Sequence, residues 1–164
     1  MTREEKLALV VKFERAYEVV DGLVNGLSGE KLRFVPPIAD AWSINDFLVH
    51  LLDADVAAAF RIRAAVAQPG FAVPVWDEEV WQARLGYDGE DGLACLKEAK
   101  VLRARLAGFL LRLVDEDWSA FYVQHPSRGK LDLAALVSTY RDHVAFHVPL
   151  IKRDLDALKA AGGR

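Results

Sequence analysis

The 164 residues are 52% hydrophobic and 27% charged, a balance that excludes a disordered chain, and the formal net charge of −3 gives no general attraction to phosphates. No stripe of Lys and Arg interleaved with aromatics occurs, so nucleic acid is not expected as a partner. The single cysteine, Cys95, excludes an intramolecular disulfide and fits a reducing compartment; with no apolar run of membrane-spanning length, no membrane partner and a cytoplasmic location are expected.

Thr2, with Glu5 three residues on, has the spacing of a capping box and opens the first helix. Leu9, Phe13, Ala16, Val20, Leu23 and Leu27 form its apolar stripe, and Gly26 with Ser28-Gly29 ends it. In the connector 28–42, Pro36-Pro37 forbids helix. Trp42 precedes the next helix where an apolar residue packs back on the first turn, and it could also help to wall a pocket.

The second helix starts at Ser43, with Asp46 as its box partner, and runs to about Ala67. Phe47, Leu48, Val49, Leu51, Leu52, Val56, Phe60 and Ile62 cover nearly the whole circumference, which predicts packing on several sides. His50 lies among them, with Asp46 and Asp53 about one turn before and after it.

The connector 68–89 begins rich in Pro and Gly and is aromatic throughout, with a short helix expected over Asp77–Arg84. Trp76, Trp81 and Tyr87 either close over a site or cap the bundle end. The third helix, about Glu90 to Val114, carries no histidine; Cys95 reads as a small buried hydrophobe, and Arg103 with Arg105 as a solvated face. In the third connector His125 precedes Pro126 and so takes extended backbone, as a rim residue and not a ligand; Gly129 then allows a turn before Asp132, an N-cap.

The last helix, Leu131 to Leu158, bears His143 and His147. Residues four apart lie about 40° apart around the axis and share a face. That face also carries Leu136, Tyr140, Ile151 and Leu158, so both rings point inward. Pro149 deprives the Ala145 carbonyl of its donor, which predicts a bend beside His147.

Four long amphipathic helices with no convincing strand make the fold class all-α, a four-helix bundle in a single domain, 1–160, followed by a tail, 161–164. The long connectors leave the helix order open. Bundles build metal sites from inward side chains on facing helices, and His50 can join His143 and His147 as a third ligand. Three neutral imidazoles bind a divalent ion, zinc or nickel first and iron or manganese as alternatives, and leave positions for water or substrate. Asp46 and Asp53 are the candidates for accepting the second ring N–H or acting as general base, against the simpler roles of cap and surface ion pair.

The stretches WSINDFLVHLLDAD at Trp42–Asp55, HPSRG at His125–Gly129 and YRDHVAFHVPLIKRDLDAL at Tyr140–Leu158 together resemble the DinB/YfiT-like superfamily of metalloenzymes. The resemblance implies a four-helix bundle of unusual connectivity, a homodimer in many members, and a divalent ion on the positions of His50, His143 and His147. It further implies small-molecule chemistry, here a transferase using a low-molecular-weight thiol ahead of a metal-dependent hydrolase, with a non-enzymatic metal-binding stress-response protein as the rival. Arg61 and Arg128 are the candidates for holding a thiol's polar groups.

Overall fold

The computed structural model describes residues 1–162. Of the expected tail, residues 163–164 lie outside the described residues, and Ala161 and Gly162 form a turn. The first helix is divided: α1 (Arg3–Glu14) passes through a 3-10 turn (Arg15–Tyr17) into α2 (Glu18–Val24), and one short turn, α3 (Gly29–Leu32), follows. Then come α4 (Ile44–Ala67), β1 (Phe71–Ala72), α5 (Glu78–Leu85), a 3-10 turn (Tyr87–Gly89) and α6 (Gly92–Leu111). The chain closes with β2 (Tyr122–His125), β3 (Gly129–Asp132) and α7 (Leu133–Ala160).

The expected N-termini form through the local chemistry that predicts them. Thr2 Oγ1 accepts from the Glu5 amide at 3.2 Å while the Glu5 carboxylate accepts from the Thr2 amide at 2.8 Å. Ser43 and Asp46 close the same reciprocal box on α4, and Asp132 caps α7 through the Ala135 amide. Pro149 sits within α7, and the helix continues through it.

Around the bundle, α1 packs against α6 and α7, and α4 packs against the same two. The first two long helices, α1 and α4, therefore lie across one diagonal and the last two, α6 and α7, across the other, while α4 and α6 are neighbours. At one point α6 begins very close to α4: a Cβ on Gly92 would stand 2.8 Å from Asn45 Oδ1, which accepts from the Gly92 amide at 3.0 Å. Asn45 Nδ2 also donates to Tyr87 O at 2.9 Å, so one buried amide fixes the approach to α6.

A three-stranded sheet, order β1-β2-β3, departs from the strand-free expectation. β1 runs parallel to β2, and β2 pairs antiparallel with β3, with His125 opposite Gly129 at the turn. Runs of two to four residues are too short to display alternation, although the facing pair Val123 and Leu131 is buried. Gly129, at φ 69°, supplies the left-handed turn residue. The pairing fastens the stretch after α4 to the stretch before α7.

The core divides into two large clusters and a small third one of Val49, Tyr87 and Cys95. Of the large two, Leu9, Phe13, Ala58, Leu106 and Leu136 belong to the one nearer the sheet, and Tyr17, Leu48, Leu51, Ala99 and Val144 to the other. At the boundary sits Arg103, fully buried, which corrects its reading as part of a solvated face; Arg105 alone is exposed. Arg103 donates to both Asp55 oxygens, at 2.7 and 2.8 Å, to Phe13 O at 3.1 Å and to Tyr140 O at 2.7 Å. The Tyr17 hydroxyl donates to Asp55 Oδ2 at 2.9 Å, and the Phe13 and Tyr17 rings lie 4.6 Å from the guanidinium carbon. Periodicity misses this group because a charge on a helix stripe reads as surface unless its partner on another helix is known.

α4 is buried on every side only from Ile44 to Leu51; beyond that Val56 and Phe60 are each 55% exposed. The all-round apolar pattern thus marks the end of α4 that holds His50.

Candidate metal centre

His50 comes from the second turn of α4, and His143 and His147 from the middle of α7. Tyr140 lies near Arg61 while His147 lies near Phe47, so the two helices run antiparallel. The His50 and His147 rings are buried and that of His143 is half-buried. His143 Nε2 stands 3.1 Å from His50 Nε2 and 3.1 Å from His147 Nε2, and the candidate ligand atoms of all three lie within 4.8 Å of one another.

Three nitrogens each about 2.1 Å from a common ion stand about 3.0–3.4 Å apart, from octahedral to tetrahedral angles. The two measured edges fall in that range. Three converging Nε2 atoms cannot all be satisfied by hydrogen bonds among themselves, because a neutral imidazole has one donor and one acceptor nitrogen. The donor set fits one divalent ion held by nitrogen alone.

Burial, ahead of the neighbouring rings, lowers the His50 pKa to about 3. His147 is lowered to about 3 by burial and then His143, and His143 to about 4 by burial and then the charge of Arg103. All three rings are neutral at pH 7, the form in which imidazole binds a metal.

Aromatic rings wall the cluster. Trp76 stacks on His50 with ring centroids 5.2 Å apart and planes 22° apart, and Trp81 meets the edge of Trp76 at 5.3 Å. Trp42 lies 5.6 Å from Phe47 and 5.3 Å from His50, so it staples the helix start and walls the site at once. The Trp76 indole nitrogen and all three imidazole Nδ1 atoms are buried without a protein partner. Beside the rings a cleft of about 440 Å³ opens along α4 and α7, lined among others by Phe47, Arg61, Trp76, Tyr140, Phe146 and Arg153. A cleft of that size suits a small molecule.

Asp46 and Asp53 are engaged away from the rings. Asp46 Oδ2 accepts from the Ser43 amide at 3.0 Å and hydroxyl at 2.9 Å, since the cap geometry draws the carboxylate back to the helix start. Asp53 Oδ2 accepts from the Tyr87 hydroxyl at 2.6 Å. Among the described residues neither is hydrogen-bonded to an imidazole, so the outer-shell contact read from their spacing does not form. His125 Nδ1 accepts from the Ser127 and Arg128 amides at 3.3 Å, as a turn residue outside the three-histidine cluster. Cys95 is buried, and burial pushes its thiol up to about 11, so it is inert packing.

Trp76 and Arg153 are site residues that the sequence reading left without a definite role. The aromatic density of the second connector was the available signal for Trp76; Arg153, on the polar side of α7, carries none. Among the described residues no helix is long and apolar enough to cross a membrane.

A search of curated proteins finds no match. Among solved structures, YfiT from Bacillus subtilis, described as a probable metal-dependent hydrolase with an unusual four-helix bundle topology, superposes with a TM-score of 0.84 at 18% identity, covering 100% of this chain and 91% of that one. At that identity the likeness shows the fold. The sequence model of the DinB superfamily matches residues 12–151, most of the chain, and the protein belongs to that superfamily.

Proposed function

We propose that this protein is a divalent-metal-dependent enzyme acting on small molecules, with hydrolysis as its reaction. The observation that carries the reading is the convergence of His50, His143 and His147 Nε2 atoms beside an open cleft. A three-nitrogen set that leaves positions free is the arrangement of a reactive site, and a closed structural site would use four protein ligands. A divalent ion there supplies a nucleophile near neutral pH by lowering the pKa of a water to about 7, or by removing the proton of a thiol.

The chain's own groups do the rest. His50, His143 and His147 stay neutral and hold their lone pairs toward one point. Trp42 and Trp76 restrict water on two sides and fix the His50 ring. Phe47 and Phe146 flank His147 at 5.4 and 5.2 Å and give the cleft apolar wall. The likeness to a protein described as a probable metal-dependent hydrolase supports hydrolysis over the thiol transfer that the family resemblance put first. An all-imidazole set suits zinc or nickel, with iron next, and is a poor match to manganese, which prefers oxygen ligands.

The test is metal content with turnover. The purified protein should carry one divalent ion per chain and hydrolyse members of a panel of small esters and amides, with both lost in His147→Ala while helical circular dichroism is kept. Turnover that survives chelation and His147→Ala would overturn the reading. Thiol-dependent turnover of an electrophile, with no hydrolysis, would replace the reaction and leave the centre.

A further inference from the structure

The cleft extends beyond the three imidazoles along both helices, and Arg61, Thr139 and Tyr140 line one part of it. One helical turn before His143, the buried Tyr140 ring lines the wall, and its hydroxyl accepts from Arg61 Nη1 at 2.9 Å. Arg61 Nη2 donates to Pro74 O at 2.7 Å. Next to Tyr140, Thr139 Oγ1 accepts from Arg128 Nη2 at 3.1 Å, which brings a second guanidinium to the same part. His125 reports the same crowding: its pKa is lowered by burial and then by the charges of Arg61 and Arg128.

Both of these arginines are held by neutral oxygens, and among the described residues neither has a carboxylate partner. Arg103, Arg141 and Arg153 do, in Asp55, Asp142 and Asp154. A guanidinium has five N–H groups, and Arg61 uses two of them on its own chain, so charge and donors are left over. The Tyr140 hydroxyl accepts from Arg61 and keeps its own proton for another acceptor. The carboxylates that line the cleft are Asp40, Glu78 and Glu79, and among the described residues none of them pairs with Arg61.

We infer that the site takes a substrate bearing an anionic oxygen group of carboxylate size, held by Arg61 and the Tyr140 hydroxyl about one helical turn, roughly 5 Å along the axis, from His143. The inference rests on the metal-enzyme reading for the reacting end of that substrate. The charged end is read from Arg61, Tyr140 and Arg128 alone. The bonds holding Arg61 fix the guanidinium before a ligand arrives, so little ordering remains at binding.

Calorimetric titration with the monohydroxamate of succinic acid and with the hydroxamate of its monoamide tests this, because the hydroxamate gives both probes the same ion-binding end and only the first carries a carboxylate at the other. Zinc-loaded protein should bind the carboxylate probe about tenfold more tightly, the worth of one charge-assisted hydrogen bond. Arg61→Gln should erase that preference, Arg61→Lys should keep part of it, and Arg105→Gln, on an exposed surface, should keep all of it. Equal affinities, no heat from either ligand, or a preference that survives Arg61→Gln would overturn the inference. Zinc stoichiometry on the same samples and acetate against acetamide on metal-free protein separate the two readings. A full ion complement without charge discrimination removes only the anion pocket. Discrimination lost in Arg61→Gln, on a chain that takes up no ion, removes only the metal.

Discussion

Two buried polar groups lie one turn apart on α7, and they are finished differently. At Tyr140 the carbonyl meets Arg103, whose charge is met by both Asp55 oxygens, whose remaining donors reach backbone oxygens on α1 and α7, and whose faces are covered by two rings. At His143 three nitrogens face one another at contact distance and three more are buried without a protein partner. The first group is complete within the chain. The second, on the reading proposed above, is completed by a bound ion, and that difference would separate a polar group that ties helices together from one that binds.

If that contrast holds, the largest effect on stability belongs to Arg103. Arg103→Met leaves Asp55 buried and unpaired and should cost about 3–5 kcal/mol in urea unfolding, whereas the double change with Asp55→Leu should recover most of it. Added metal should rescue the single variant only by the increment that it gives the wild type. That increment is the next prediction: zinc at a hundred times its dissociation constant should raise unfolding free energy by about 2.7 kcal/mol, read as a higher thermal midpoint. In His143→Ala the increment should vanish, with metal affinity falling by more than the roughly 10–100-fold that loss of an outer partner costs.

A third test uses protons. The rings titrate at about 3, about 4 and about 3 in the folded chain, against an ordinary value of 6.5. Below pH 6.5 the unfolded chain takes up protons that the folded one refuses, so metal-free protein should be at full stability above that pH and lose it steadily toward pH 4. Thermal midpoints at pH 7.5, 5.5 and 4.5 check this, and replacing all three histidines by glutamine should flatten the slope. The smallest effect is expected for Asp46→Ala, about 1 kcal/mol from the lost cap, with zinc stoichiometry unchanged. A large loss of zinc there would return Asp46 to the metal's surroundings.

Much of this was legible in the chain because it depends on local spacing. The helix starts at Ser43 and Asp132 follow from side chains that bond amides three residues away, and the His143–His147 face follows from helical geometry. His50 became a candidate because the pair on the last helix called for a third ligand and a histidine stood on the inward-packed second helix. The places where sequence reasoning failed involve partners distant in the chain. Nothing near Arg103 announces Asp55, and nothing near Asp53 announces Tyr87. The β1–β2 pairing joins residues about fifty apart through two rungs, which no window could detect.

The diagonal placement of the first two and of the last two long helices also bears on the order of assembly. Synthesis delivers α4 and its lone imidazole about 65 residues before α7 begins, and α6, which comes between, supplies no ligand. Until α7 is in place, two sides of the nascent bundle lack their neighbour and the ion has a single point of attachment. On the metal reading, capture of the ion would thus report that the final helix has docked, and a shortage of metal would be felt last, after the chain has already committed to its fold.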